Sequence, residues 1–423
     1  MWETLKKIYN HHDLRNKILF VIGILIIFRF LAHVPVPGID VQALRSFFEK
    51  NQLFGMLNLF SGGAMRNFSI VMMGVGPYIT SSIIFQLLAM IVPSLEALQK
   101  EGEYGRQKIN QYTRLATVPL AFMQSYAMII LLKNQGITGN WSPFELITAL
   151  ITMTAGTILL MWLGELISEK GIGNGISLII CLGIIGGVPT SIQQTLATFD
   201  TTKIIGTIIF GIIALVIVAL IVMINEGERQ IPVTYARRIR GHKTYGGVET
   251  HLPIKVNVGG VIPIIFALSM MIVPGIAAKF FEQAKSETLS HIAKTVANIF
   301  SQHTFWYGLI YFVMVVFFTF FYASVVFKPD QISENLQKQG GFVPGLRPGK
   351  ETSDYLGKVL YRITFIGAIF LGFIAVLPYI VQSITNIQTL VLGGTGLLII
   401  VSVIIETMRQ IKSQLVMRTY DQF

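Results

Sequence analysis

Apolar runs of about 18 residues or more recur along this chain, the length a helix needs to cross a hydrocarbon core of roughly 30 Å. Inside such a core there is no water to satisfy backbone amides and carbonyls, so only segments that bond internally persist there. The chain is therefore expected to be an all-α polytopic membrane protein. Its residues are 52% hydrophobic and 13% charged, against about 25% charged in an ordinary soluble domain. The lone cysteine, Cys181, lies in an apolar run and excludes an intrachain disulfide framework. The 7 histidines form no cluster with carboxylates at a metal-ligand spacing.

Hydropathy predicts ten spans, at about 18–34, 70–92, 115–132, 146–164, 176–196, 204–224, 258–278, 305–327, 359–381 and 387–406. The first follows Lys6, Lys7, Arg15 and Lys17, as a signal peptide would. It runs on into Pro35-Val36-Pro37-Gly38 without a small-residue cleavage site and is expected to be retained. With both ends inside, 24 of the 33 Lys and Arg lie on the inner side, counting Arg362 at the mouth of span nine. Eight lie outside, and Arg29 is within span one. The positive-inside rule then predicts an N-in, C-in topology.

Two inner loops are unusual. Lys328 to Thr352 is polar and punctuated by glycine and proline, with a basic tip Leu346-Arg347-Pro348-Gly349-Lys350. The loop 225–257 carries Arg229, Arg237, Arg238, Arg240, Lys243 and Lys255. Within it Ile231–Ala236 predicts a short strand, and Gly241 and Gly246-Gly247 predict turns. Positive-inside bias alone would account for the charge. A projecting, turn-bounded structure tipped with arginines also suits phosphate or carboxylate recognition, and RNA and an acidic protein surface both fit. Between spans one and two, Leu59–Ile70 is too short to span and is broken by Gly62-Gly63. It fits either a re-entrant, plug-like half-helix or an interfacial turn.

Chemistry is missing from the spans. There is no His-Glu-x-x-His, no Gly-x-Ser-x-Gly and no carboxylate pair on facing spans. Gly345–Thr352 fails as a phosphate loop because Glu351 follows the lysine, and Gly171–Ile176 lacks the last glycine of a dinucleotide fingerprint. Ion-coupled transporters place ionisable groups or broken helices at the midplane, and these spans are nearly free of charge. Val75 and Ile79, and Ile176 and Ile180, stack at four-residue spacing. Taken alone they are ordinary lipid-facing or core positions.

Motifs along the whole chain resemble the bacterial SecY family, channel-forming subunits of the Sec protein translocase. They include Gly62-Gly63-Ala64, Gly76-Pro77-Tyr78-Ile79, Lys100-Glu101-Gly102-Glu103 and Gln111-Tyr112-Thr113-Arg114. Met161-Trp162-Leu163-Gly164-Glu165 and Gly171-Ile172-Gly173-Asn174-Gly175-Ile176-Ser177 follow in order. So do His251–Asn257, Gly260-Val261-Ile262-Pro263, Gly341–Gly349 and Gly393-Gly394-Thr395.

The resemblance implies two pseudo-symmetric five-helix halves around a central pore, residues 18–196 and 204–406, joined by an external hinge loop at 197–203. Residues 1–17 and 407–423 would be cytoplasmic ends, and 225–257 and 328–358 cytoplasmic loops. It implies a pore ring of Val75, Ile79, Ile176, Ile180, Ile265 and Ile399, with Val75 standing where isoleucine is usual. A short plug half-helix, about 57–70, would include Phe60, Ser61, Gly62, Gly63, Ala64 and Met65. Gln86 and Asn257 would lie at a lateral gate, and Arg237, Arg238, Arg240, Arg347 and Lys350 would contact the motor or the ribosome. The implied activity moves unfolded secretory polypeptides across the bacterial cytoplasmic membrane and releases transmembrane segments into lipid. Implied partners are SecE and SecG, the SecA ATPase, the ribosome through 23S rRNA and exit-tunnel proteins, signal sequences, nascent polypeptides and anionic lipids. SecDF and YidC are further candidates, and no cofactor is implied. A solute transporter, an intramembrane enzyme and a membrane-anchored scaffold are the competing classes.

Overall fold

The computed structural model describes residues 11–37, 44, 61, 63–134, 136–137, 141–197, 204–235, 238–240, 243–245, 249–281, 287–300, 304–385 and 394–420. Its helices in chain order are α1 (His12–Leu31), α2 (Gly76–Ile91), α3 (Pro93–Lys100), α4 (Glu103–Asn134), α5 (Pro143–Lys170) and α6 (Gly175–Ala197). Then come α7 (Ile204–Glu226), α8 (Ile262–Phe281), α9 (Glu287–Ile299), α10 (Phe305–Val326), α11 (Pro329–Lys338), α12 (Lys350–Thr385) and α13 (Gly394–Tyr420). The strands are β1 (Glu228–Tyr235), β2 (Arg238–Arg240), β3 (Lys243–Tyr245), β4 (Glu249–Lys255) and β5 (Gly341–Phe342).

Each of the ten apolar runs overlaps a helix, although 387–393 lies outside the described residues. Among the described residues four stretches are long and apolar enough to cross a membrane by length and composition: Glu103–Lys133, Pro143–Lys170, Phe305–Lys338 and Lys350–Leu377. The pair α2–α3 would make a fifth, bent by 99° at its break. The bend has a local cause. Val92 is extended, and Pro93 opens α3 at a position where a missing N–H leaves no bond unmade. At α5, Ser142 and Glu145 form a reciprocal capping box, with Ser142 N–H donating to Glu145 Oε2 at 2.8 Å.

The chain divides into two compact units. The first is Met1–Thr201 with Ile272–Gln302 and Val403–Phe423, and the second is Thr202–Met271 with His303–Ser402. In the first, α4 packs on both α2 and α5, and α5 on α6. Its Arg114 Nε meets Glu165 Oε1 at 2.6 Å, tying α4 to α5. The tail helix is also held here: Gly173 N–H donates to Gln410 Oε1 at 2.8 Å, and Leu14, Ile172 and Ile411 bury one another.

In the second unit α10 lies along α12. The unit also builds a small body from strands and helix ends. β1 pairs antiparallel with β4 from Glu228↔Lys255 to Thr234↔Glu249, and with β5 through Thr234↔Phe342 and Tyr235↔Gly341. The expected strand at 231–236 is thus observed as Glu228–Tyr235, with Ala236 outside the described residues. Ile231, Val233 and Ile254 from the hairpin bury against Leu336, Val343, Leu356 and Leu360. Fully burying such a side chain from water contributes about 1.5–3 kcal/mol. The two loops therefore share one core.

Candidate functional site

The basic tip of the second loop has a fixed backbone and free-standing charges. Gly345 (φ +85°) and Gly349 (φ +104°) turn the chain on either side of Arg347. The Arg347 N–H donates to Glu351 Oε2 at 3.3 Å, and its carbonyl accepts from Thr352 Oγ1 at 2.8 Å. One residue pair on, the Gly349 carbonyl accepts from Ser333 Oγ at 2.6 Å and from Ser353 N–H at 3.0 Å. The side chains of Arg347 and Lys350 remain exposed. A guanidinium held on a rigid loop loses little further backbone freedom when it meets a carboxylate or phosphate.

Gly345 has open space around it, and a Cβ placed there would meet nothing within 4 Å. Gly345→Ala therefore isolates the backbone penalty, about 1–2 kcal/mol for a left-handed L-residue. Hydrogen exchange across 343–352 should quicken correspondingly while exchange in β1 and β4 stays unchanged.

In the first loop, Arg238 and Arg240 lie on β2, which pairs with β3 through Arg238↔Tyr245 and Arg240↔Lys243. They thus sit on a small ribbon carried between β1 and β4. Arg237 is outside the described residues.

In the segment between α1 and α2, residues 57–60 and Gly62 of the expected plug lie outside the described residues, and Gly63 to Val75 run through turns with an isolated bridge between Ser69 and Pro35. Its bonds are mostly of the three-residue kind, including Phe68 N–H to Met65 O at 3.1 Å and Met72 N–H to Ser69 O at 2.9 Å. α2 begins at Gly76 rather than 70, where Pro77 can occupy the first turn. Ser61 is buried, and its Oγ accepts from Met65 N–H at 3.1 Å. Gly63 takes φ +83°, and Ala64 and Met65 are buried.

The base of this segment is anchored. Val36 N–H donates to Phe68 O at 2.8 Å and Ile70 N–H to Val34 O at 3.0 Å. Phe68, fully buried at φ +45°, packs edge-on to Trp141 with ring centroids 6.3 Å apart. Below it Gly156 of α5 admits the backbone itself: a Cβ there would lie 2.0 Å from Ile70 O.

Directly after these turns, Val75 caps α2, and Ile79 N–H donates to Val75 O at 3.0 Å, so the two stack one turn apart. Both are buried, as are Ile180 on α6, Ile265 on α8 and Ile399 on α13. Ile176 is half-buried and leans on Gly164 of α5. Val75, Ile79, Ile176 and Ile180 belong to the first unit, Ile265 and Ile399 to the second.

Gln86 and Asn257 are polar groups within otherwise apolar surroundings. Gln86 Nε2 donates to Ser82 Oγ at 3.1 Å, while its buried Oε1 has no partner among the described residues. Asn257 Nδ2 donates to Asn225 Oδ1 at 2.8 Å and to Gly260 O at 3.1 Å, and Asn225 Nδ2 donates to Ser402 Oγ at 2.7 Å. Asn225 and Ser402 carry no local sign of this role in the sequence, since their partners lie 32 and 177 residues away. Each such bond between membrane helices is worth about 0.6–2 kcal/mol.

Apolar helices that carry two basic loops on one shared core fit a polytopic membrane protein with a partner in the water phase. The SecY family model matches residues 69–408. The protein translocase subunit SecY of Streptomyces scabiei is 40% identical over 441 residues, covering 100% of both chains. A solved structure described as that of a protein conducting channel superposes with TM-score 0.66 at 19% identity, over 93% of this chain and 91% of the other. Sec61 from a canine ribosome-channel complex gives TM-score 0.60 at 18% identity, over 93% and 91%. The chain belongs to the SecY family. It is a channel subunit of the protein translocase and not an enzyme.

Proposed function

We propose that this channel passes unfolded secretory polypeptides through a ring of Val75, Ile79, Ile176, Ile180, Ile265 and Ile399, and that force reaches it through its cytoplasmic arm. One observation carries the reading: strand β5 joins β1, so both basic loops project from a single body. A motor that grips the Arg347 loop would thus pull on the Arg238–Arg240 ribbon through the shared core. The ring has no polar atoms to replace an ion's hydration shell, so a closed ring dewets and blocks ions without selecting any one polypeptide.

In this reading ten spans cross the bacterial cytoplasmic membrane with both ends inside, in two five-helix halves hinged at 197–203. The segment at about 57–70, with Phe60, Ser61, Gly62, Gly63, Ala64 and Met65, plugs the pore from outside, and Gln86 and Asn257 bias a lateral gate through which apolar segments leave. SecE and SecG complete the complex, SecA drives export, and the ribosome docks on the same arm. Support for the last partner is the likeness to a channel solved with a ribosome.

The ribosome reading has a direct test. Cosedimentation of the purified complex with empty ribosomes should weaken steeply with salt, since each phosphate neutralised adds roughly 0.7–0.9 to the logarithmic salt slope. Replacing Arg238, Arg240 and Lys350 by glutamine should flatten that slope by about 2. A slope that stays the same would remove these residues from the ribosome contact.

A further inference from the structure

We propose that a cleft at the root of the cytoplasmic arm holds the headgroup of a zwitterionic aminophospholipid, a phosphoethanolamine ester. The cleft is an open groove of about 550 Å³ between the start of α11 and the face of α12 that carries the exposed Asp354, Lys358, Tyr361 and Arg362. These four follow one another at helical spacing on that face. The last two enter the apolar run expected at 359–381, which places the cleft at the level of lipid headgroups.

Two carboxylates, Asp330 and Asp354, and two cations, Lys358 and Arg362, line the same space. Asp330 is engaged by Ser353 Oγ at 2.6 Å. Among the described residues Asp354, Lys358 and Arg362 form no ion pair, although Asp354 and Lys358 are one turn apart. Cations and a carboxylate that face a common space without joining each other suit a ligand that carries both charges. A phosphate diester would take Lys358 and Arg362, the latter through its planar fork. A primary ammonium would donate to Asp354. A purely anionic headgroup would leave that carboxylate repelled, and a choline headgroup has no N–H to offer it.

Two further features point to lipid rather than a soluble ligand. Tyr361 is 64% exposed at the mouth of the run, the place where tyrosine favours the membrane interface. One turn deeper Phe365 (49%) and Ile366 (62%) are exposed and offer a track for an acyl chain. The floor is also bare. Gly357 lies within the unbroken helix, and a Cβ there would only reach ordinary contact, 3.9 Å from Pro329 Cγ. Glycine inside a helix is unfavourable relative to alanine, and packing does not demand it here. A larger residue would fill the cleft.

The test uses the detergent-solubilised full complex and native mass spectrometry with three dioctanoyl lipids: phosphatidylethanolamine, phosphatidylcholine and phosphatidylglycerol. Water-soluble phosphoethanolamine is the fourth probe. The expected wild-type preference for phosphatidylethanolamine is about tenfold over the other two lipids. Arg362→Gln and Gly357→Leu should each abolish it, Gly357→Leu with no loss of melting temperature because the helix gains propensity. Asp354→Asn should shift the preference toward phosphatidylglycerol. Equal binding of all three lipids, or undiminished phosphatidylethanolamine binding by Arg362→Gln and Gly357→Leu, overturns the proposal. Binding of soluble phosphoethanolamine as tight as that of the lipid overturns the lipid assignment.

Discussion

Arg347→Glu is expected to stop motor-driven export while the chain still folds and inserts. The separation of effects follows from the loop's construction. The bonds Arg347 makes within the loop use its backbone, through Glu351 and Thr352, and the guanidinium itself is exposed. The new carboxylate would stand near Glu351, but on a solvated surface that repulsion is small. At an interface, by contrast, a reversed charge costs several kcal/mol, and each 1.4 kcal/mol or so is a factor of ten. Engagement of the motor should fall by roughly 100-fold or more on that arithmetic. The measurement is ATP-driven uptake of a secretory precursor into vesicles reconstituted with the complex and SecA. Limited proteolysis of 328–358 should give wild-type fragments, which shows that the loop is intact. Uptake near the wild-type rate would take Arg347 out of the motor contact.

The parts of this molecule that are legible in its sequence are those fixed by local pattern. Run length locates the helices, since lipid leaves the backbone few alternatives. Alternation places a strand at 231–236, three residues short at its start. What escapes is non-local. Gly341-Phe342 is too short to announce itself as a strand, and becomes one only because β1 presents an edge to it. The union of the two basic loops is therefore invisible in the sequence, although both are recognisable as surfaces. The segment before α2 is ambiguous for another reason. Its glycine-broken apolar pattern fits a half-helix or an interfacial turn equally, and the choice is made by distant partners: Met65, Phe68 and Met72 bury in a cluster with Met128, Leu132 and Met153. Phe68 at φ +45° is the cost of that burial, and no sequence rule marks it. The ring positions come from resemblance alone, because a buried isoleucine in a span carries no local sign of a pore.

Replacing Ile79 and Ile180 together with serine is expected to make the resting channel leak ions. Both are buried, Ile79 one turn inside α2 and Ile180 one turn after Ile176 on α6. Serine should not unfold either helix, because its hydroxyl can bond the carbonyl four residues back, as Thr80 does to Gly76 at 3.1 Å. What changes is the cost of wetting the constriction. An aliphatic ring excludes water by offering it no hydrogen bonds; two hydroxyls and the space left by two branched chains supply both bonds and room. Each 1.4 kcal/mol or so removed from that barrier multiplies the rate of ion passage about tenfold, so the double variant should conduct at least ~tenfold more than wild type in planar bilayers. Ile79→Leu with Ile180→Leu, equally apolar and of equal volume, should remain tight. That contrast separates a pore ring from general loosening of the helices: leak in both variants would point to loosening, and leak in neither would place the constriction elsewhere.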